Sequence, residues 1–285
     1  MHLGEARVIM VRNQTQLTPE ILSAAPNLLA IGRFGVGLDN IDVKYATERG
    51  IVVIAPLNAN ATSVAELTLG LMLSLARKIP FGDRSTKSGG WDRKNCTGIE
   101  LDRKTLLICG FGRIGRMVAA RAKVFGLRLI VFDPFIEENS MHIGEVGATL
   151  ATKLEDGLGV ADYVTVHLPL TPQTKHLFNA KVFSLMKRGS FFINTSRGGV
   201  MDEMALLIAL KENHLSGAAL DVREIEPPNE KSALNEMDNV ILTPHIGAFT
   251  TEAQTRTMEC VCEDIERILR GEAAHNFVNI PQPSR

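Results

Sequence analysis

A glycine-rich turn between an apolar run and an amphipathic helix constrains this chain more than any other feature. The turn reads Cys109-Gly110-Phe111-Gly112-Arg113-Ile114-Gly115-Arg116. Before it, Lys104-Thr105-Leu106-Leu107-Ile108 has the pattern of a buried strand, and after it apolar residues recur at helical spacing over 117–125. A second apolar run at 129–132 ends on Asp133, 18 positions past Gly115 and near the ~20 at which a carboxylate holds an adenosine ribose. Gly110 allows a tight strand-to-helix turn, Gly112 lets backbone approach a pyrophosphate, and Gly115 lets helix and strand pack closely. The helix N-terminus adds free N–H groups and a positive dipole for phosphates. A plain strand–turn–helix explains the glycines but does not require an acid at the tip of the next strand. The whole pattern is therefore read as a dinucleotide site.

The rest of the chain repeats this alternation. Further apolar runs stand near 162–167, 190–195, 217–222 and 240–243, with helical patterns between several of them, such as 202–213. Strands alternating with helices imply a parallel sheet covered on both faces, with ligands at the carboxyl ends of its strands. His167, Thr195-Ser196-Arg197, Asp221 and His245 all fall at or just beyond strand ends. A smaller alternation precedes the glycine turn, with strands expected at 8–11, 28–31 and 51–54 and helices at 19–25 and 43–49. Residues 58–63 read as a polar hinge ending in a helix cap, and 250–270 as a long closing helix.

At 285 residues the chain is long enough for roughly two domains. A formal net charge of −1 with no block of like charge argues against a nucleic-acid partner. The first residues lack a basic stretch followed by an apolar core, and the longest apolar helix, expected at 67–76, is too short to span a bilayer. A soluble, cytoplasmic protein with no membrane partner is expected. The four cysteines, Cys96, Cys109, Cys260 and Cys262, show no metal-ligand spacing. They are read as reduced and structural, with no metal site.

Three further segments carry unusual chemistry: 194–203 with Thr195-Ser196-Arg197-Gly198-Gly199, 219–228 with Asp221 and Glu226-Pro227-Pro228, and 242–248 with Pro244-His245-Ile246-Gly247. With the glycine turn, they make the chain resemble the D-isomer-specific 2-hydroxyacid dehydrogenases, from about residue 7 onward, and most of all their phosphoglycerate dehydrogenase branch. The resemblance implies an α/β fold: a Rossmann-type doubly wound parallel sheet with a second, smaller, discontinuous flavodoxin-like α/β domain. The expected NAD-binding domain is 60–245, and the substrate domain 1–59 with 246–285, with hinges near Asn60 and Pro244 closing a cleft.

The resemblance also assigns roles. His245 matches the acid/base, Glu226 the carboxylate that pairs with it, and Arg197 the binder of the substrate carboxylate. The types suit the chemistry. A histidine titrates near neutrality, a carboxylate partner fixes its tautomer, and a guanidinium presents a planar fork to a carboxylate. On the cofactor side Gly110, Gly112, Arg113, Ile114 and Gly115 cover the pyrophosphate, and Asp133 takes the ribose hydroxyls. His167 and Pro169 flank the adenosine; Thr195, Ser196, Asp221, His245 and Gly247 belong to the nicotinamide side. Asp133 would repel a 2′-phosphate and no arginine follows it closely, so NAD is favoured over NADP.

Arg12, Arg33, Gly35, Val36, Gly37, Arg93 and Arg197 match substrate-side positions. Several arginines at one mouth fit a multiply anionic 2-hydroxy acid, with 3-phosphoglycerate the first choice. A glyoxylate or hydroxypyruvate reductase shares much of the pattern, and an NAD-sensing binding protein is the alternative of a different class. A homodimer is expected, with Arg93 reaching the neighbour's site. Three departures stand out. Family members normally begin two strands and their helices earlier, so a three-stranded remnant with an open edge at 8–12 and weak turnover is expected here. Arg223 stands where an aromatic is common, and Leu168 where a small polar residue often sits. No regulatory extension follows the core, so feedback through one is not expected.

Overall fold

The computed structural model describes residues 3–137 and 140–284. The chain divides into two compact units, Met1–Ser63 with Ala248–Arg285, and Val64–Gly247.

The first unit opens with β1 (Val8–Val11), α1 (Pro19–Ser23), β2 (Ala30–Arg33), α2 (Val43–Glu48) and β3 (Val52–Ile54), and its strands form a parallel sheet in the order β1-β2-β3. Alternate residues serve opposite faces, as the two-residue period of a strand dictates. Val11, Ile31 and Val53 face a cluster with Leu22, Leu28 and Ala46, whereas Ala30, Val52 and Ile54 face Val261, Ile265 and Ile268. The second strand starts two residues later than its apolar run. Leu28 donates its N–H to Ala25 in a turn, and pairing with β1 begins only at Ala30 with Val8. The outer edge of β3 is covered by the chain's own end: Val278 donates to Val53, and Asn279 accepts from the Val53 N–H and donates to the Ile51 carbonyl. β1 has the other edge, where Met10 is 55% exposed.

The helix α3 (Ala61–Ala76) starts inside the expected polar hinge. Ser63 thus lies within its first turn rather than capping it, buried and bonded to Thr250 Oγ1 at 2.8 Å. The second unit then runs α4 (Ile79–Lys87), β4 (Thr105–Cys109), α5 (Arg113–Val124), β5 (Arg128–Phe132), α6 (Met141–Val146), β6 (Thr149–Leu150), α7 (Leu154–Leu158), β7 (Tyr163–Val166), α8 (Ala180–Leu185), β8 (Phe191–Asn194), α9 (Glu203–Lys211), β9 (Gly217–Leu220) and β10 (Val240–Leu242). Its seven strands form one parallel sheet in the order β10-β9-β8-β7-β4-β5-β6. The two-residue β6 has too short a pattern to be read from sequence. Both faces are covered. Leu107, Cys109, Val164, Val166 and Phe192 face one core, while Leu106, Ile108, Tyr163, Ile193 and Ala219 face the other. This is the doubly wound α/β sheet expected of the sequence. The chain passes on one side of β4 to β5 and β6 and returns on the other to β7, so the carboxyl ends of β4 and β7 mark the switch point where such sheets bind ligands.

The closing helix α10 (Thr251–Leu269) belongs to the first unit, and its Thr250 cap accepts from the Ala253 N–H at 3.1 Å. All four cysteines are free. Cys109 is fully buried, and burial pushes its thiol up. No helix among the described residues is long and apolar enough to cross a membrane, and no group of three potential metal ligands occurs among them.

Candidate active site

The glycine turn lies at the carboxyl end of β4. Gly110 has φ +92°, a region side chains disfavour, and a Cβ there would lie 2.6 Å from the His167 carbonyl oxygen. A Cβ on Gly115 would lie 2.1 Å from the Gly110 carbonyl oxygen, so α5 can pack this closely on the turn only without one. A Cβ on Gly112 would meet nothing within 4 Å; above it the first N–H groups of α5 are open. Asp133, just past β5, accepts from the Phe111 N–H at 2.8 Å and from the Phe135 N–H at 2.9 Å. Its carboxylate therefore shapes the turn as well as standing beside it, a use the sequence pattern did not disclose. Arg113 is exposed and Ile114 half-buried at the start of the helix.

His167 follows β7, with Nε2 3.1 Å from Thr165 Oγ1. Burial pushes its pKa down to about 3, so the ring is neutral, and its buried Nδ1 has no protein partner. An orphaned buried nitrogen, an open helix N-terminus and a carboxylate at the neighbouring strand tip all meet the needs of a dinucleotide. These residues fit the group that the turn predicts. Pro169 is exposed on the same loop.

The reactive cluster stands at the ends of β8, β9 and β10. His245 Nδ1 lies 2.6 Å from Glu226 Oε2. An ionised carboxylate only accepts, so Nδ1 carries the proton and Nε2 is left to work. The Glu226 bond and charge hold His245 above its ordinary value despite partial burial. Burial alone would raise Glu226, but bonds from His245 and the Arg223 N–H, with the charges of His245 and Arg197, leave it lowered. His245 has left-handed backbone, φ 54°. Asp221, buried at the end of β9, holds it there. Its carbonyl accepts from the His245 N–H at 2.8 Å, and its carboxylate from the Ile246 and Gly247 N–H groups at 2.8 Å each and from Thr243 Oγ1 at 2.6 Å. Asp221, expected as a cofactor contact, anchors the histidine loop.

Arg197 is half-buried after β8. Its loop is organised by Asn194, which sequence reading passed over. The Asn194 side chain accepts from the Ser196 N–H and hydroxyl at 2.9 and 2.8 Å and donates to the Arg197 carbonyl at 3.0 Å. A buried Asn ending an apolar strand was the available signal. Thr195 turns its hydroxyl into the core, 2.9 Å from Thr68 Oγ1.

Of the expected substrate-side residues of the first unit, Arg12 follows β1, Arg33 ends β2, and Gly35, Val36 and Gly37 lie on the loop after it. Asn40 ties these loops together, donating to the carbonyls of Arg12 and Thr15 at 2.8 and 2.6 Å. Arg12 is exposed. Arg33, expected on the substrate side, is held within its own loop. Only 7% exposed, it donates to the carbonyls of Gly37 and Phe34 at 2.9 Å each, and its guanidinium fills the space beside Gly35. It braces the loop carrying Gly35, Val36 and Gly37. Arg93 lies in the second unit and is exposed, next but one to Trp91, which is 80% exposed.

Residues 69–247 match the family described as D-isomer specific 2-hydroxyacid dehydrogenase, NAD binding domain. The chain belongs to this family. It is 47% identical over 283 residues to D-3-phosphoglycerate dehydrogenase of Methanocaldococcus jannaschii, covering 98% of this chain and 53% of that protein. It is 44% identical over 273 residues to the enzyme of the same name from Archaeoglobus fulgidus, covering 96% and 51%. The chain thus spans about half the length of these curated relatives. Among solved structures, D-lactate dehydrogenase from Aquifex aeolicus complexed with NAD and lactic acid superposes with a TM-score of 0.87 at 32% identity, covering 98% of this chain and 88% of that one. The glycine turn and the seven-strand sheet lie within the residues that match the family.

Proposed function

We propose that the chain oxidises a D-2-hydroxy acid with NAD, 3-phosphoglycerate being the first candidate. The 2.6 Å Glu226–His245 pair, at the carboxyl edge of the sheet that carries the glycine turn, is the observation that carries this reading. NAD, when bound, supplies the hydride acceptor. The chain's own residues supply the rest. His245 Nε2 takes the hydroxyl proton as the hydride leaves the carbon that bears the hydroxyl, and the 2-hydroxy acid becomes a 2-oxo acid. Glu226 holds the imidazolium that results, and Arg197 offers a fork of donors to the substrate carboxylate. Gly112 and the α5 N-terminus hold the pyrophosphate, Asp133 the ribose. Support for a phosphorylated substrate comes from the names of the relatives and from the exposed Arg12 and Arg93. A homodimer, with Arg93 reaching the neighbour's site, is part of the same reading.

The test is NADH formation against a panel of D-2-hydroxy acids, with the reverse reaction on glyoxylate and hydroxypyruvate. Fastest turnover on 3-phosphoglycerate is expected, with His245→Ala lowering kcat by roughly 10²–10⁴ while NADH binding persists. A preference for glyoxylate or hydroxypyruvate would move the assignment to a reductase. NADH binding without turnover on any acid would leave an NAD-sensing protein.

A further inference from the structure

Arg223 is largely buried, its side chain 11% exposed, and so is Glu203, at 19%. Its guanidinium forks onto both carboxylate oxygens of Glu203, with Nη2 on Oε1 and Nε 3.1 Å from Oε2, and Nη2 also reaches Ser232 Oγ at 3.0 Å. Glu203 is the first residue of α9, which Asp202 caps by accepting the Ala205 N–H, and it accepts the Glu224 N–H at 3.3 Å as well. The main chain of Arg223 faces the reactive groups. Its N–H donates to Glu226 Oε1 at 2.8 Å, leaving Oε2 for His245. Its carbonyl lies so close to Gly198 that a Cβ there would come within 1.9 Å of it, so the loop carrying Arg197 rests on the same residue.

We propose that the Glu203–Arg223 ion pair is a positioning device for the Glu226–His245 pair: by fixing Arg223 to α9, it fixes the N–H that aims the Glu226 carboxylate at the histidine. The proposal rests on reading Glu226 and His245 as the acid/base. Two N–H···O bonds from one planar guanidinium set an orientation as well as a distance, which a single ammonium contact does not. The charged groups that face His245 are Glu226, Arg197 and Asp221; those that face Glu226 are His245 and Arg197. Glu203 and Arg223 reach the acid/base pair through the Arg223 N–H on Glu226. Their influence runs through the aim of one carboxylate.

The competing account is purely structural, with the pair stabilising the start of α9 and nothing more. The two differ in what they do to the titration of His245. The full chain, labelled with ¹³C at histidine and assigned with a His245→Gln variant, is titrated by NMR as wild type, Glu203→Gln, Arg223→Lys and the double variant Glu203→Gln/Arg223→Gln. The double variant leaves no unpaired buried charge, so it keeps the test open should a single variant fold poorly. The pH profile of kcat/KM and the NADH affinity are measured alongside. With the carboxylate loosened, the His245 midpoint is expected to fall towards the ordinary histidine value of about 6.5 in all three variants. The acid limb of kcat/KM for oxidation moves down with it, and kcat drops. NADH affinity stays within about twofold, since the glycine turn is untouched. A lowered Tm with the His245 midpoint and the acid limb both unmoved would overturn the proposal. A wild type without turnover would instead count against the dehydrogenase reading, and the NMR titration would still decide whether the ion pair controls the histidine.

Discussion

His245 sits where its backbone would not go unaided. A non-glycine residue at φ 54° costs of order 1–3 kcal/mol, and the surrounding bonds from Asp221 hold it there. The consequence is a histidine whose Nδ1 meets Glu226, and the pair makes stability depend on pH. His245 is raised, so its contribution is complete below the unfolded value of about 6.5 and is lost as pH rises through the raised folded value. Glu226 is lowered, so its contribution is complete above the unfolded value of about 4.3 and is lost as pH falls through the lowered folded value. Both stand together between about pH 4.3 and pH 6.5. Glu226→Gln keeps the shape and removes the charge. We expect its stability deficit against wild type, from urea midpoints, to be widest near about pH 5.5 and to narrow towards alkaline pH as His245 loses its proton. A deficit constant from pH 5 to pH 9 would show that the pair is not linked to folding in this way.

At the scale of elements, the β4–α5 turn does two separable jobs, and two of its glycines divide them. Gly115 lets the helix close on the strand; Gly112 leaves the helix N-terminus open. Gly115→Ala must displace the Gly110 carbonyl, so loss of both thermal stability and NADH binding is expected. Gly112→Ala, with φ −68° and no neighbour within 4 Å, costs the fold no more than about 1 kcal/mol as a weaker cap, yet sets a methyl in the approach to the α5 N–H groups. Melting curves with fluorescence titration of NADH separate the two. Unchanged NADH affinity in Gly112→Ala would remove that glycine from the binding site. The loops after β8 and β10 work differently, because each is set by a polar side chain from its own strand end or a neighbouring one: Asn194 for the Arg197 loop, and Asp221 for the His245 loop.

For the whole molecule, each unit has its own core, and the first is completed by the chain's last segment. Asp264 on α10, fully buried, accepts from the His275 and Asn276 N–H groups at 2.6 and 2.8 Å, and the Asn276 carbonyl accepts from Ala55 at 2.8 Å. That turn places Val278 and Asn279 along the edge of β3. Asp264→Ala removes a buried acceptor from the His275 and Asn276 N–H groups, and a hydrogen bond to a charged group is worth about 1.5–3 kcal/mol. We expect hydrogen exchange to lose protection at 52–54 and 261–268 while 105–109 and 163–166 keep theirs, with NADH binding retained. Equal loss of protection in both units would mean that they unfold as one.

What the sequence by itself determined was what depends on neighbours along the chain. The two-residue period of buried strands, the helical pattern between them and the spacing from Gly115 to Asp133 are local, so the α/β class and the dinucleotide turn could be read directly. The order of the seven strands, with the short β6 at one edge, was decided only by the fold. Only the tertiary structure decided the use of each polar side chain. Arg33 and Arg12 read alike as loop cations, but packing buries Arg33 against the carbonyls of its own loop and leaves Arg12 exposed. Asp221 reads as a polar strand end, and only the fold shows that β10 brings the His245 loop onto its carboxylate. Arg223 reads as a departure from pattern, and its partner Glu203 stands twenty residues earlier on another element. A hydrogen bond or ion pair needs its partner within about 3 Å, and for residues far apart in the chain that distance is set by how strands and helices pack.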